Sequence, residues 1–168
     1  MQTIKLFVAS SDELMHERLV FSRIALELGA RLRERGMRID LVKWEYLDSS
    51  MGLLHKQEEY NRELAMCDIV FVLFSRRFGE YTEEEFRVAL EGMRDRQRPR
   101  KVAVMFKKGG EAVEPGLASF RESLVPEDGL EVMEFSNDDE LSQEVKSTIM
   151  LHLDDSGELQ LGKLDGGD

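Results

Sequence analysis

The chain has 168 residues, 42% of them hydrophobic and 34% charged, and a formal net charge of -11. That length holds one domain with a sizeable core and excludes two ordinary ones. The acidic balance argues against nucleic acid and anionic membranes as partners, since both would be repelled at long range, and the lone Cys67 excludes an internal disulfide.

In chain order, IKLFVAS (Ile4 to Ser10) reads as a strand. The helix that follows carries Phe21, Ile24, Ala25, Leu28 and Leu32 at i, i+3, i+4, i+7 and i+11, and Gly36 ends it. IDLVKW (Ile39 to Trp44) is a second strand, and a helix around Gln57 to Met66 precedes IVFVLF (Ile69 to Phe74), the most apolar run. The next helix spans Thr82 to about Arg96 and stops before Pro99. KVAVMF (Lys101 to Phe106) and LEVMEF (Leu130 to Phe135) are further strands, and a last helix covers about Asp138 to His152. The sequence therefore divides into a domain over 1–153 and an acidic, Gly/Asp-rich tail or linker stub over 154–168.

Strands alternating with helices predict an α/β fold: a flavodoxin-like three-layer sandwich with a five-stranded, mostly parallel sheet of order 2-1-3-4-5. Ligands in such sheets sit at the carboxyl ends of the strands, at the switch point between strands 1 and 3. That rule selects SSDE after strand 1, SRRFGEYTEEE after strand 3 and WEYLDSS after strand 2.

Within these segments Ser10 and Glu13 fit a capping box, and Ser10 and Ser11 with the helix amides could equally hold a phosphate or a ribose hydroxyl. Thr82 and Glu85 repeat the box pattern. Helical phase separates the three consecutive glutamates: Glu84 faces water, Glu83 pairs with Arg87 at i+4, and Glu85 flanks the buried edge beside Ala89 and Gly92. Glu85 is thus the candidate catalytic carboxylate. Placed in a first helical turn, it would be held ionised by the helix amides, which suits stabilisation of an oxocarbenium ion and not proton donation. Cleavage of the nicotinamide–ribose bond of NAD fits such a group, because that leaving group departs neutral without an acid.

Other candidates are weaker. Trp44 could stack on a base or fill a core. Arg76 and Arg77, next to Ser75, could neutralise a diphosphate or be a solvated pair, and Cys67 reads as a small buried hydrophobe. The basic run RDRQRPRK could be a solvated helix end or meet an acidic surface. The histidines are dispersed, so no metal site is expected. The opening MQTIKLFVASS has no leader pattern and no run reaches membrane length, so a cytoplasmic chain without membrane contacts is expected.

IKLFVASS, CDIVFVLFS and TEEEFRVAL together resemble the TIR-like (Toll/interleukin-1 receptor-like) family of the bacterial type, over about Ile4 to Lys107. The fold is similar to that of the nucleoside deoxyribosyltransferases. The resemblance implies an NAD glycohydrolase or cyclase, acting as a defence effector or signalling domain. Its catalytic glutamate would lie in the E-x-x-x-A-L context matched by Glu85 to Leu90. Substrate binding would involve Ser10, Ser11, Trp44, Ser75, Arg76 and Tyr81; Tyr81 and Thr82 stand where such enzymes often carry a tryptophan. NAD would be a substrate and no cofactor is expected. The resemblance also implies homo-oligomerisation and further domains of a larger protein. A non-catalytic self-association module, and a nucleotide or deoxyribonucleoside N-glycosidase, remain open beside it.

Overall fold

A computed structural model describes residues 2–10, 12–43, 53–77, 80–95, 98–109 and 113–155. The strands are β1 (Gln2–Ser10), β2 (Met37–Lys43), β3 (Ile69–Phe74), β4 (Lys101–Lys107) and β5 (Leu130–Phe135). The helices are α1 (Met15–Arg33, after a 3-10 turn at Asp12–Leu14), α2 (Leu53–Leu64), α3 (Glu80–Asp95), α4 (Pro115–Ser123) and α5 (Asp138–Asp155). The sheet order is β2-β1-β3-β4-β5 and all four pairings are parallel. This is the flavodoxin-like arrangement that the alternating pattern predicts.

Strand alternation builds two cores. Ile4, Leu6 and Val8 of β1 point to α1 and α5, where they meet Phe21, Ile24, Leu28, Val145 and Ile149. Phe7 and Ala9 point the other way, toward Leu64 of α2, Phe86 and Ala89 of α3 and Leu117 of α4. All six residues of β3 are buried, as a central parallel strand covered on both faces requires. Phe71 meets Phe21 edge-on at 5.1 Å between ring centroids, and burial of each such ring contributes roughly 1.5–3 kcal/mol.

Gly36 terminates α1 as its sequence position suggests: its φ is 75°, and its amide donates to the Arg33 carbonyl at 3.0 Å. Several expectations differ from the structure. Helix α4 has no counterpart in the sequence reading, because its nine residues bury only Leu117 fully and show no recurring stripe. Helix α2 spans Leu53–Leu64 and not Gln57 to Met66. Helix α3 starts at Glu80 and not after Thr82. Helix α5 continues to Asp155, past its expected end at about His152, while residues 156–168 lie outside the described segments. No described helix is long and apolar enough to cross a membrane.

Candidate functional site

The carboxyl ends of β1 and β3 meet where the strand order predicts a site. Ser10 closes β1 on the same face as Val8, so its side chain points toward α1. There Arg18 Nε donates to Ser10 Oγ at 2.7 Å, and Arg18 Nη2 donates to the Ser10 carbonyl at 2.9 Å. Both residues are buried, with Arg18 only 4% exposed. The capping box assigned to Ser10 and Glu13 is not formed. The strand extends through Ser10, and α1 begins only at Met15 without a side-chain cap.

Glu13 does something else. Its carboxylate accepts from the backbone amides of Arg76 at 2.8 Å and Arg77 at 3.1 Å, directly after β3. An acidic side chain from the β1–α1 connection thereby satisfies two successive amides at the switch point. The Arg77 side chain adds a contact to Glu13 at 3.8 Å. Beside this bridge a cavity of about 280 Å³ is lined by Glu13, Ser75, Arg76, Lys107, Lys108, Gly109 and Val113. Ser75 and Arg76 line this crevice together with Lys107 and Lys108, which pair with Glu17 and Glu134.

Glu85 lies in α3 and is 2% exposed. Glu83 pairs with Arg87, and Glu84 is exposed, so the phase argument sorts the three glutamates correctly. The capping-box role of Glu85 is overturned, because the earlier helix start makes Thr82 the third residue of α3 and Glu85 the sixth. The expected ionised state is overturned with it. Burial pushes the Glu85 carboxyl up to about 8; the Arg18 guanidinium opposes this and Glu84 adds to it. One turn further along than expected, the carboxyl gains little from the amides that would have held it charged, since that influence fades within the first turn. Ser10 and Arg18 thus form one buried pair at the carboxyl end of β1, and Glu85 is buried in α3 within electrostatic reach of Arg18. The Glu85 carboxyl is not among the groups lining the 280 Å³ cavity.

Ser11 and Trp44 lie outside the described residues, and Tyr81 is placed on α3 without a described side chain. Cys67 is buried, and its thiol is pushed up to about 12, chiefly by burial, which fits the small-hydrophobe reading.

Sequence reasoning missed Arg18 and Glu17. Both continue the α1 stripe toward its start: Glu17 is four residues before Phe21, and Arg18 three before it. Charged residues at a core-facing phase were the available signal. Glu17 is 2% exposed, and Lys107 Nζ donates to its Oε2 at 3.0 Å.

No family model matches the sequence, and no curated protein matches it. Among solved structures the chain is similar to a CMP N-glycosidase of Clostridium botulinum, with 13% identity, 84% of this chain and 98% of that chain covered, and a TM-score of 0.48. An azoreductase of Bacillus anthracis is 11% identical over 95% of this chain and 98% of its own, with a TM-score of 0.39. At these identities and scores neither likeness indicates what this chain does.

Proposed function

We propose that the chain cleaves the N-glycosidic bond of a nucleotide, with NAD as the substrate and Glu85 as the carboxyl group beside the reacting ribose carbon. The observation that carries this reading is the burial of Glu85 in α3, within electrostatic reach of the Arg18 guanidinium that holds Ser10 at the carboxyl end of β1. The E-x-x-x-A-L context of Glu85 and the resemblance to TIR-like enzymes support it from the sequence. Arg76, Lys107 and Lys108 border the crevice, the two lysines already paired with Glu17 and Glu134, so a diphosphate bound there would compete with those carboxylates.

In NAD cleavage the bond between the ribose carbon and the pyridinium nitrogen breaks, and its electron pair leaves with neutral nicotinamide. Positive charge then develops on the ribose. An ionised Glu85 would stabilise that charge, and water would complete the hydrolysis. With its pKa near 8, Glu85 is largely neutral in the free chain at pH 7. A pyridinium brought beside it favours its ionised form, so substrate binding and loss of the proton are linked.

The raised pKa also favours a second reading, a nucleotide N-glycosidase whose leaving base is neutral. There the protonated carboxyl would donate to the departing base, which the NAD reaction does not need. A panel of NAD and simple nucleoside monophosphates, assayed with the parent and with Glu85→Gln at concentrations that allow assembly, separates these readings. Turnover of NAD that rises with pH through about 8 supports the first. Turnover of a monophosphate that falls over the same range supports the second. Equal product from parent and Glu85→Gln would remove Glu85 from the chemistry. No turnover of any panel member would favour a non-catalytic, self-associating module.

A further inference from the structure

On the α1/α5 face of the sheet, a second group of titratable side chains lies apart from Glu85 and the Ser10–Arg18 pair. His16 and Glu17 open α1, and Asp138 opens α5 just beyond β5. A cavity of about 480 Å³ lies between them, lined also by Lys107, Phe135, Ser136, Asn137 and Asp139. One ligand atom from each of His16, Glu17 and Asp138 lies within 4.8 Å of the other two.

We propose that His16, Glu17 and Asp138 form a site for a divalent first-row transition ion that ties the start of α1 to the start of α5. Three observations carry it. First, the donor set is one imidazole and two carboxylates, a combination suited to zinc-like ions; magnesium and calcium take oxygen ligands. Second, the spacing needs little adjustment. His16 Nε2 and Asp138 Oδ2 are 2.8 Å apart. Two ligands each about 2.0–2.1 Å from a tetrahedral ion stand roughly 3.3 Å from one another, so the pair must open by only about half an ångström.

Third, Glu17 is a 2%-exposed carboxylate held in place before any ion arrives, because Lys107 Nζ donates to its Oε2 at 3.0 Å. A preset ligand reduces the ordering cost of binding. The charge balance is compatible as well. Glu17, Asp138 and Asp139 border the cavity against the single ammonium of Lys107, and a divalent ion offsets the remainder. The open cavity leaves room for water or another ligand to complete four-coordination.

The test uses the full chain, freed of metal with a chelator, and calorimetric titration with Zn²⁺. One ion should bind per chain. His16→Ala and Asp138→Asn should each weaken binding at least tenfold, while His55→Ala should leave it unchanged. The His16 side chain is 64% exposed, so its loss should not unfold the protein. Co²⁺ provides an independent readout: a tetrahedral site containing His16 gives a visible absorption band in the parent that His16→Ala removes. No Zn²⁺ binding by the parent, or equal binding by the parent and His16→Ala, overturns the proposal.

Discussion

Arg18 grips Ser10 twice, with Nε on the hydroxyl at 2.7 Å and Nη2 on the carbonyl at 2.9 Å. A buried guanidinium is costly unless its donors are satisfied, and here the last residue of β1 supplies two acceptors. The same cation is the main influence holding down the pKa of Glu85. The strand end and α1 are therefore tied by one side chain.

Arg18→Met should lower stability by about 2–4 kcal/mol, because it strips charged donors from the two buried acceptors of Ser10. Urea unfolding measures the loss. A double-mutant cycle with Glu85→Gln should show coupling on the order of 1 kcal/mol. Additive losses would mean that the two residues act independently.

Glu85 should make stability depend on pH in a definite direction. Its folded pKa is raised to about 8 from an ordinary 4.5, so between those values the folded chain holds a proton that the unfolded chain has lost. Stability from this group is thus full at low pH and declines as pH rises through about 8. Glu85→Gln cannot ionise and should match the parent near pH 5, then exceed it near pH 9 by on the order of a few kcal/mol. Chemical denaturation at both pH values gives the comparison, and an unchanged difference would refute the buried-carboxyl account.

Glu13→Ala should release the amides of Arg76 and Arg77, which both donate to its carboxylate. Both amides are at exposed positions where water can replace the carboxylate, so the expected cost is roughly 0.5–1.5 kcal/mol. Amide hydrogen exchange should also quicken at these two positions while β3 stays protected. Slow exchange retained at both amides would show that Glu13 does not hold the loop.

Cys67 should be inert toward thiol reagents at pH 8 in the folded chain, since its thiol is buried and pushed up to about 12. In denaturant it should react at the rate of a free cysteine. Rapid labelling of the native protein would contradict the burial.

Gly92→Ala should be strongly destabilising, because a Cβ there would collide with the Arg98 carbonyl oxygen. Backbone is on both sides of that contact, so the chain would have to shift. Thermal melting should show a fall of several degrees, and an unchanged melting temperature would mean that the 98–100 segment yields freely.

Much of the architecture was legible in the residues alone. The five apolar runs, the α1 stripe from Phe21 to Leu32 and Gly36 determined the parallel sheet, its order and the end of α1, because burial imposes periods that show in sequence. Phase also sorted Glu83 into a pair with Arg87, Glu84 into solvent and Glu85 to the edge of the stripe, but not into the interior. The sequence could not determine what Glu85 experiences once buried. Only the tertiary structure shifted the helix start to Glu80, took Glu85 out of the first turn and pushed its carboxyl up to about 8. Only packing brought Arg18 to Ser10, Glu13 to the amides after β3, and His16 to Asp138, residues 122 positions apart. Local spacing records which face of an element is buried. Which charges meet at the ends of different elements depends on how the strands are ordered and the helices laid across them.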